Sequence, residues 1–178
     1  PADVNKTTFL VHKHVDVKTD DDRWLYLPAV RRVKRIASSG QSGAFMGSEF
    51  SYEDLGPQDV DRYTFTWLRD EPLDGVPMHV LKRVPRDENS GYSEQHVWMD
   101  IAELRLHKVT FYDRRGRLIK TLTVDGFTQH DDRHWRPLSL EMHNHQNGRT
   151  TVLTFEDYAF DVGLSPRDFD DTRLDQVR

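Results

Sequence analysis

Nine histidines in a chain of 178 residues without cysteine are the first residues whose spacing suggests chemistry. His12-Lys13-His14 and His143-Asn144-His145 each hold two imidazoles at i, i+2. On a strand that spacing projects both rings to one side, which could begin a metal site if a carboxylate joined them. His130, Asp131, Asp132 and His134 form a third group. In the first two segments the pair lies opposite the apolar residues, where a strand carries its solvated groups, and Asp131-Asp132 has the composition of a hairpin tip. A metal centre needs three or four converging ligands, so the weight falls on solvated faces, and no metal is expected.

Other catalytic patterns are absent. There is no Gly-x-Ser-x-Gly elbow, no His-Glu-x-x-His helix and no Gly-rich phosphate loop between a strand and a helix. Gly40-Gln41-Ser42-Gly43 places a Ser between glycines, but the surrounding pattern offers no strand-to-helix elbow. Carboxylates are abundant, yet sequence does not show which of them converge. The expectation is a protein that is not an enzyme, with no catalytic residue and no cofactor. A net charge of -5 argues against a general nucleic-acid binder. The densest positive feature is Arg31, Arg32, Lys34 and Arg35, beside Trp24 and Tyr26. In a strand, Arg32 and Lys34 face one way and Arg31 and Arg35 the other. The run reads either as an edge strand blunted against aggregation or as a docking surface for an acidic partner or anionic lipid headgroups.

The elements that must position these residues are almost all strands. About eleven alternating segments, separated by turn chemistry, imply an antiparallel meander. Thr8 to Val17 carries Phe9, Val11, Val15 and Val17 on one side. Arg23 to Leu27 and Arg31 to Ile36 pair across Pro28-Ala29. Tyr63 to Asp70 and Val76 to Pro85 are joined by Asp74-Gly75, with Met78 and Val80 in phase. Glu94 to Ile101, Arg105 to Tyr112 and Leu118 to Phe127 follow. His134 to His145 has a dislocation near Pro137, and Asn147-Gly148 gives a type I′ hairpin signal into Arg149 to Phe160. Two stretches depart from the pattern. Ala37 to Asp61 is a Gly/Ser-rich loop with a short helical or irregular piece around Tyr52 to Val60, and Ser165-Pro166-Arg167-Asp168 reads as a capped terminal turn.

Nothing divides the chain, so residues 1–178 are expected to form one domain. No apolar run approaches the roughly 18 residues that span a bilayer. The apolar faces of so many strands need a cover, and no amphipathic helix in the sequence is long enough to supply it. Closure into a barrel, a helix from elsewhere, a second subunit or an apolar ligand could fill that role.

The run Asp22-Arg23-Trp24-Leu25-Tyr26-Leu27-Pro28-Ala29-Val30-Arg31-Arg32-Val33-Lys34-Arg35-Ile36, followed by Ser42-Gly43-Ala44-Phe45-Met46-Gly47-Ser48-Glu49-Phe50-Ser51-Tyr52-Glu53-Asp54-Leu55, resembles the bacterial outer-membrane lipoprotein-sorting-protein-like family, within the LolA/LolB-type carriers. The likeness continues through Gly91-Tyr92-Ser93, Val97-Trp98-Met99-Asp100, Tyr112-Asp113-Arg114-Arg115-Gly116, Thr151-Val152-Leu153-Thr154-Phe155 and Val162-Gly163-Leu164. The resemblance implies a mainly β domain whose strongly curved antiparallel sheet forms an incomplete barrel, with short helices or loops over the concave face. It further implies a periplasmic location in Gram-negative bacteria, an apolar cavity for lipid or lipoprotein acyl chains and, in some members, association with an RND-type exporter. Pro1-Ala2-Asp3-Val4 looks internal to the family, so a signal peptide, a first helix and opening strands are expected to precede it.

On this reading Phe9, Val11, Phe65, Trp67, Val97, Met99, Phe111, Leu140 and Met142 line the apolar cavity, and Phe45 and Met46, in the Gly/Ser-rich loop, form its gate. The basic run Arg31, Arg32, Lys34 and Arg35 is the candidate docking surface. The alternative is a structural or docking module of a membrane exporter that carries no lipid, and a metal-dependent enzyme built on the histidine pairs is the third class.

Overall fold

The computed structural model describes residues 4–16 and 19–176. Val17 and the opening Pro1-Ala2-Asp3 therefore lie outside the described residues. Among the described residues twelve strands run in chain order. β1 (Thr8–His12), β2 (Asp22–Leu27) and β3 (Arg32–Ile36) make a three-stranded sheet in the order β1-β2-β3. β4 (Tyr63–Leu73), β5 (Val76–Pro85), β6 (Tyr92–Asp100), β7 (Leu106–Asp113), β8 (Leu118–Asp125), β11 (Ser139–Asn144) and β12 (Thr150–Thr154) make a seven-stranded sheet in the order β12-β11-β8-β7-β6-β5-β4. β9 (Thr128–His130) and β10 (His134–Arg136) form a small hairpin between β8 and β11. Every described pairing is antiparallel, and neither larger sheet pairs its first strand with its last.

Turn chemistry sets the register of the long hairpin. Asp74 and Gly75 have φ of 50° and 82°, the two positive values that a type I′ turn requires, and the ladder runs from Leu73↔Val76 to Tyr63↔Pro85. A bulge between Trp67 and Arg69 interrupts it. At the β11–β12 connection Gly148 has positive φ and Asn147 does not, so the type I′ expectation gives way to a longer turn in which Asn144 N–H donates to Arg149 O. Pro137, which has no N–H for a ladder, splits the expected His134–His145 strand into β10 and β11. β1 stops at His12, and Val15 is exposed rather than part of an apolar face. Of the two alternatives for the piece around Tyr52 to Val60, helical or irregular, the structure shows the irregular one, turn and extended chain that ends in a 3-10 turn at Val60–Arg62.

Residues directly opposite one another share a face, so the register assigns the two sides of the large sheet. One row reads Phe65, Arg83, Gln95, Phe111, Lys120, Asn144 from β4 to β11, and the next reads Trp67, Leu81, Val97, Val109, Leu122, Met142, Thr151. The other side is polar along Thr66, Lys82, His96, Thr110, Thr121, His143 and Thr150, with an apolar patch of Met78, Val80 and Trp98 near β5 and β6. The core lies on the first side: Phe50, Tyr92, Val97, Val109, Phe111 and Met142 form one buried cluster.

Phe50 reaches this cluster from the loop between β3 and β4. Phe45 N–H donates to Phe50 O, and a bridge pairs Ala44 with Ser51, so the loop folds back on itself before it crosses the sheet. Gly91 permits the approach, since a Cβ there would lie 2.8 Å from Ser42 Cβ, and its N–H donates to Glu53 Oε1 at 2.9 Å. The small sheet is held between this loop and the C-terminal turns. Phe9 meets Phe45 and Tyr52 at centroid distances of 5.8 and 5.6 Å, while the Asp171–Gln176 turn, with buried Leu174, packs on β1, β2 and β3. The expected cap forms before it: Ser165 N–H and Oγ both donate to Asp168 Oδ2.

Candidate functional site: an apolar cavity with a charged rim

A cavity of about 250 Å³ opens on the buried side of the large sheet. Its floor comes from Val109 and Phe111 of β7, Leu122 and Val124 of β8 and Leu140 of β11, with Leu106, Phe127 and Pro137 at one end. Phe50 of the crossing loop and Tyr92 of β6 close the other side. Apolar and aromatic walls with a few polar groups are the usual make-up of a small-molecule site, although typical sites are larger, roughly 300–1,000 Å³. Two depressions of about 600 and 510 Å³ are less suited: one is a polar cleft beside Asp20, Asp21 and Asp22, and the other is formed by residues 159–164 alone.

The polar groups of the cavity sit at the end nearest the loop. Glu53, Asp54, Gln58, Tyr63, Arg83 and Gln95 reach it. Both acids are already engaged. Lys120 Nζ donates to Asp54 Oδ2 at 2.7 Å, and Tyr92 Oη donates to Asp54 Oδ1 at 2.8 Å. Ser90 Oγ donates to Glu53 Oε2 at 2.8 Å, beside the Gly91 N–H on the other oxygen. Lys120 also stands 5.2 and 5.4 Å from the Tyr92 and Phe111 ring centroids, so its ammonium is held by one carboxylate, one carbonyl and two ring faces. Burial pushes the Glu53 carboxyl up from its ordinary pKa, and burial together with Asp54 and Glu53 pushes the Tyr92 hydroxyl well up.

Arg83 differs from its neighbours. Its guanidinium lies 4.6 Å from the Tyr63 ring centroid and its Nε–H donates to Gln95 Oε1, and among the described residues no carboxylate lies within ion-pair distance of it. Burial pulls its pKa below the ordinary arginine value, with Tyr63 and Asp54 opposing that pull.

Of the residues expected to line a cavity, Phe111 and Leu140 do so directly. Val97 and Met142 lie in the buried cluster alongside it, and Met99 packs against that cluster. Phe65 and Trp67 share the cavity face by register but sit on the edge strand, 40% and 60% exposed. Phe9 and Val11 belong to the small sheet, and Phe45 and Met46 lie outside the cavity lining; Phe45 instead packs on Phe9 and Tyr52. Arg32, Lys34 and Arg35 are on the exposed edge strand β3, and Arg31 precedes it with φ of 49°. Arg35 pairs with Asp22.

The histidines of the first pair find separate partners, whereas the rings of His143 and His145 stay edge to edge with centroids 4.9 Å apart. His12 Nε2 lies 2.6 Å from Phe169 O and His14 Nε2 lies 2.9 Å from Asp22 Oδ2. His143 and His145 contact Thr150 and Thr121. Among the described residues no three His, Asp or Glu side chains gather where they could hold a metal ion.

Phe50, Tyr63, Arg83, Tyr92 and Lys120 were not singled out from the sequence. A signal existed for one of them: Lys120 is in phase with Leu118, Leu122 and Val124, where the alternation calls for an apolar side chain, whereas Arg83 lies in the phase opposite Met78 and Val80 and gives none. A charge in a core phase marks a site where local rules yield to something else.

Comparison with known proteins agrees with this architecture. A family model described as an uncharacterized protein matches residues 1–176. No curated protein matches the chain. The chain is 48% identical to a solved domain from Vibrio parahaemolyticus named for outer membrane lipoprotein sorting, covering 98% of this chain and 73% of that one with a TM-score of 0.93. It is 34% identical to a DUF1329 family protein from Desulfovibrio piger, with the same coverages and a TM-score of 0.91. A LolA superfamily protein from Nitrosomonas europaea, 22% identical, matches over 93% of this chain and 77% of its own with a TM-score of 0.67, which establishes the fold. The chain thus belongs to one family with these outer-membrane lipoprotein-sorting-protein-like and DUF1329 proteins, and its antiparallel sheets have the LolA-type fold.

Proposed function

We propose that this domain is a periplasmic carrier or chaperone that holds a lipid or lipoprotein acyl chain on the buried side of its large sheet, and that it binds its cargo without transforming it. The observation that carries the proposal is the apolar cavity bounded by β7, β8, β11 and Phe50. At about 30 Å³ per water-sized unit, its 250 Å³ holds roughly eight methylenes. Burying that many is worth about 6 kcal/mol at ~0.8 kcal/mol each before the cost of association is subtracted, which suits weak, reversible carriage. The large sheet, covered at one end by the crossing loop, acts in this proposal as the incomplete barrel. The name of the solved Vibrio parahaemolyticus relative is in keeping with a carrier of the cell envelope.

The test is native mass spectrometry of protein extracted gently from a Gram-negative host, in which co-purifying lipid is expected. A preparation that is consistently empty, and that takes up no decyl-chain probe, would sink the carrier proposal. A second function rests on a separate observation. Arg31, Arg32 and Lys34 are exposed on or beside an edge strand and have no ion-pair partner among the described residues. We propose that this edge docks an acidic surface of a membrane exporter of the RND type. Binding to the purified exporter should then weaken steeply with salt and fall at least tenfold when Arg32 and Lys34 are both changed to Glu.

A further inference from the structure

Arg83 is the one charged group at the rim that the cavity does not already use. Asp54 is taken by Lys120 and Tyr92, and Glu53 by Ser90 and the Gly91 N–H. Arg83 makes a single hydrogen bond among the described residues, from Nε to Gln95, so both terminal nitrogens of its fork lack a partner there. Asp54 acts on this guanidinium only from beyond ion-pair distance, and the two terminal nitrogens are not sealed from solvent, so they are available to an anionic group. It also lies at one end of the cavity, in the row Arg83-Gln95-Phe111, with the apolar floor of Val109, Leu122 and Val124 running away from it.

We propose that the cavity selects amphiphiles with an anionic head, a single acyl chain lying along Val109 and Leu122 while its carboxylate or phosphate takes the fork of Arg83. This inference rests on the carrier function above and adds the class of head that the cargo presents. A planar guanidinium with both terminal NH2 groups free matches the two oxygens of a carboxylate, and such bidentate, charge-assisted pairs are the strong and specific ones. The ring of Tyr63 beneath the guanidinium fixes its plane, and Gln95 fixes its direction. The cavity volume sets the other half of the preference, since it accepts one short chain rather than several.

Titration calorimetry of the whole chain with decanoate, decyl phosphate, 1-decanol and decyltrimethylammonium tests this directly. Decanoate should bind at least tenfold more tightly than decanol, and the cationic analogue most weakly of the four. The ratio of decyl phosphate to decanoate identifies which anion the fork prefers. In the Arg83→Gln protein, checked for a native circular-dichroism spectrum, decanoate should lose its advantage over decanol, and Arg83→Lys should restore only part of it. Equal affinity for decanoate and decanol in the unaltered chain would overturn the anionic-head proposal while leaving acyl carriage standing. Failure of all four probes to bind would overturn both. The comparison among ligands needs no variant, so it decides the matter even if Arg83→Gln does not fold.

Discussion

The two ends of the seven-stranded sheet follow the same alternating pattern and meet different fates. At the β6–β7–β8–β11 end, Val97, Val109, Phe111 and Met142 are buried beneath Phe50 and its loop. At the β4 end, Phe65 and Trp67 occupy the same face and the same rows, yet stay 40% and 60% exposed. Nothing in the side chains themselves separates the two groups. The difference is the reach of the crossing loop, which delivers Phe50 over one end of the sheet. Burial is therefore a property of the cover, and apolar alternation only states which residues could be buried.

The sharpest way to break this comparison is to remove the cover. Phe50→Ala should cost about 3–5 kcal/mol in urea unfolding, since the side chain is buried in the core cluster. A loss below ~1 kcal/mol would mean that the covered end holds without it. Next in size is the ion pair that ties the same loop to β8. Lys120→Met leaves Asp54 buried without its cation, and a destabilisation of about 3 kcal/mol is expected. Changing Lys120 to Met and Asp54 to Leu together should recover most of that loss, which separates the cost of a stranded charge from that of lost packing.

A smaller effect comes from the β6–β7 corner, where the covered strands turn. Burial opposes ionisation of Asp100, but the Glu103 N–H, Arg105 and His107 outweigh it and hold the carboxyl down at about 2. Its folded-state pKa is below the unfolded value, so its contribution is present above the unfolded pKa, near 4, and lost as pH falls through about 2. That contribution is about 2 kcal/mol, and Asp100→Asn should flatten stability between pH 4 and pH 2 by a similar amount. A slope unchanged in the variant would sink this assignment. The smallest expected effect is at the open end. Trp67→Ala should shift stability by less than ~0.5 kcal/mol, because the indole is already largely in water. A large loss would show that the β4 end is covered in solution, and the contrast between the two ends would vanish.

The antiparallel class, most strand positions, the Asp74-Gly75 turn, the break at Pro137 and the capped turn at Ser165 were legible in the residues, because each depends on chemistry within a few positions. The assignment of faces was less so. Met78 and Val80 are in phase with each other but lie across the sheet from the cavity, whose β5 positions are Leu81 and Arg83. Alternation has two phases, and choosing between them needs the partner strand. Phe45 and Met46 drew attention as flexible apolar residues next to glycines, whereas Phe50, a few positions on, enters the core, since the bridge between Ala44 and Ser51 decides where the loop turns.

What the sequence determined alone was local: a chain of amphipathic strands, punctuated by turns that fix their pairing, with more apolar surface than it has helix to cover. What tertiary structure decided was the arrangement of charge around the space that remains. Lys120 finds Asp54 and Arg83 finds no carboxylate at ion-pair distance among the described residues, though both lie in one cross-strand row on the buried side of the same sheet. An ion pair depends on a few ångströms between residues distant along the chain, a separation that no short-range pattern encodes.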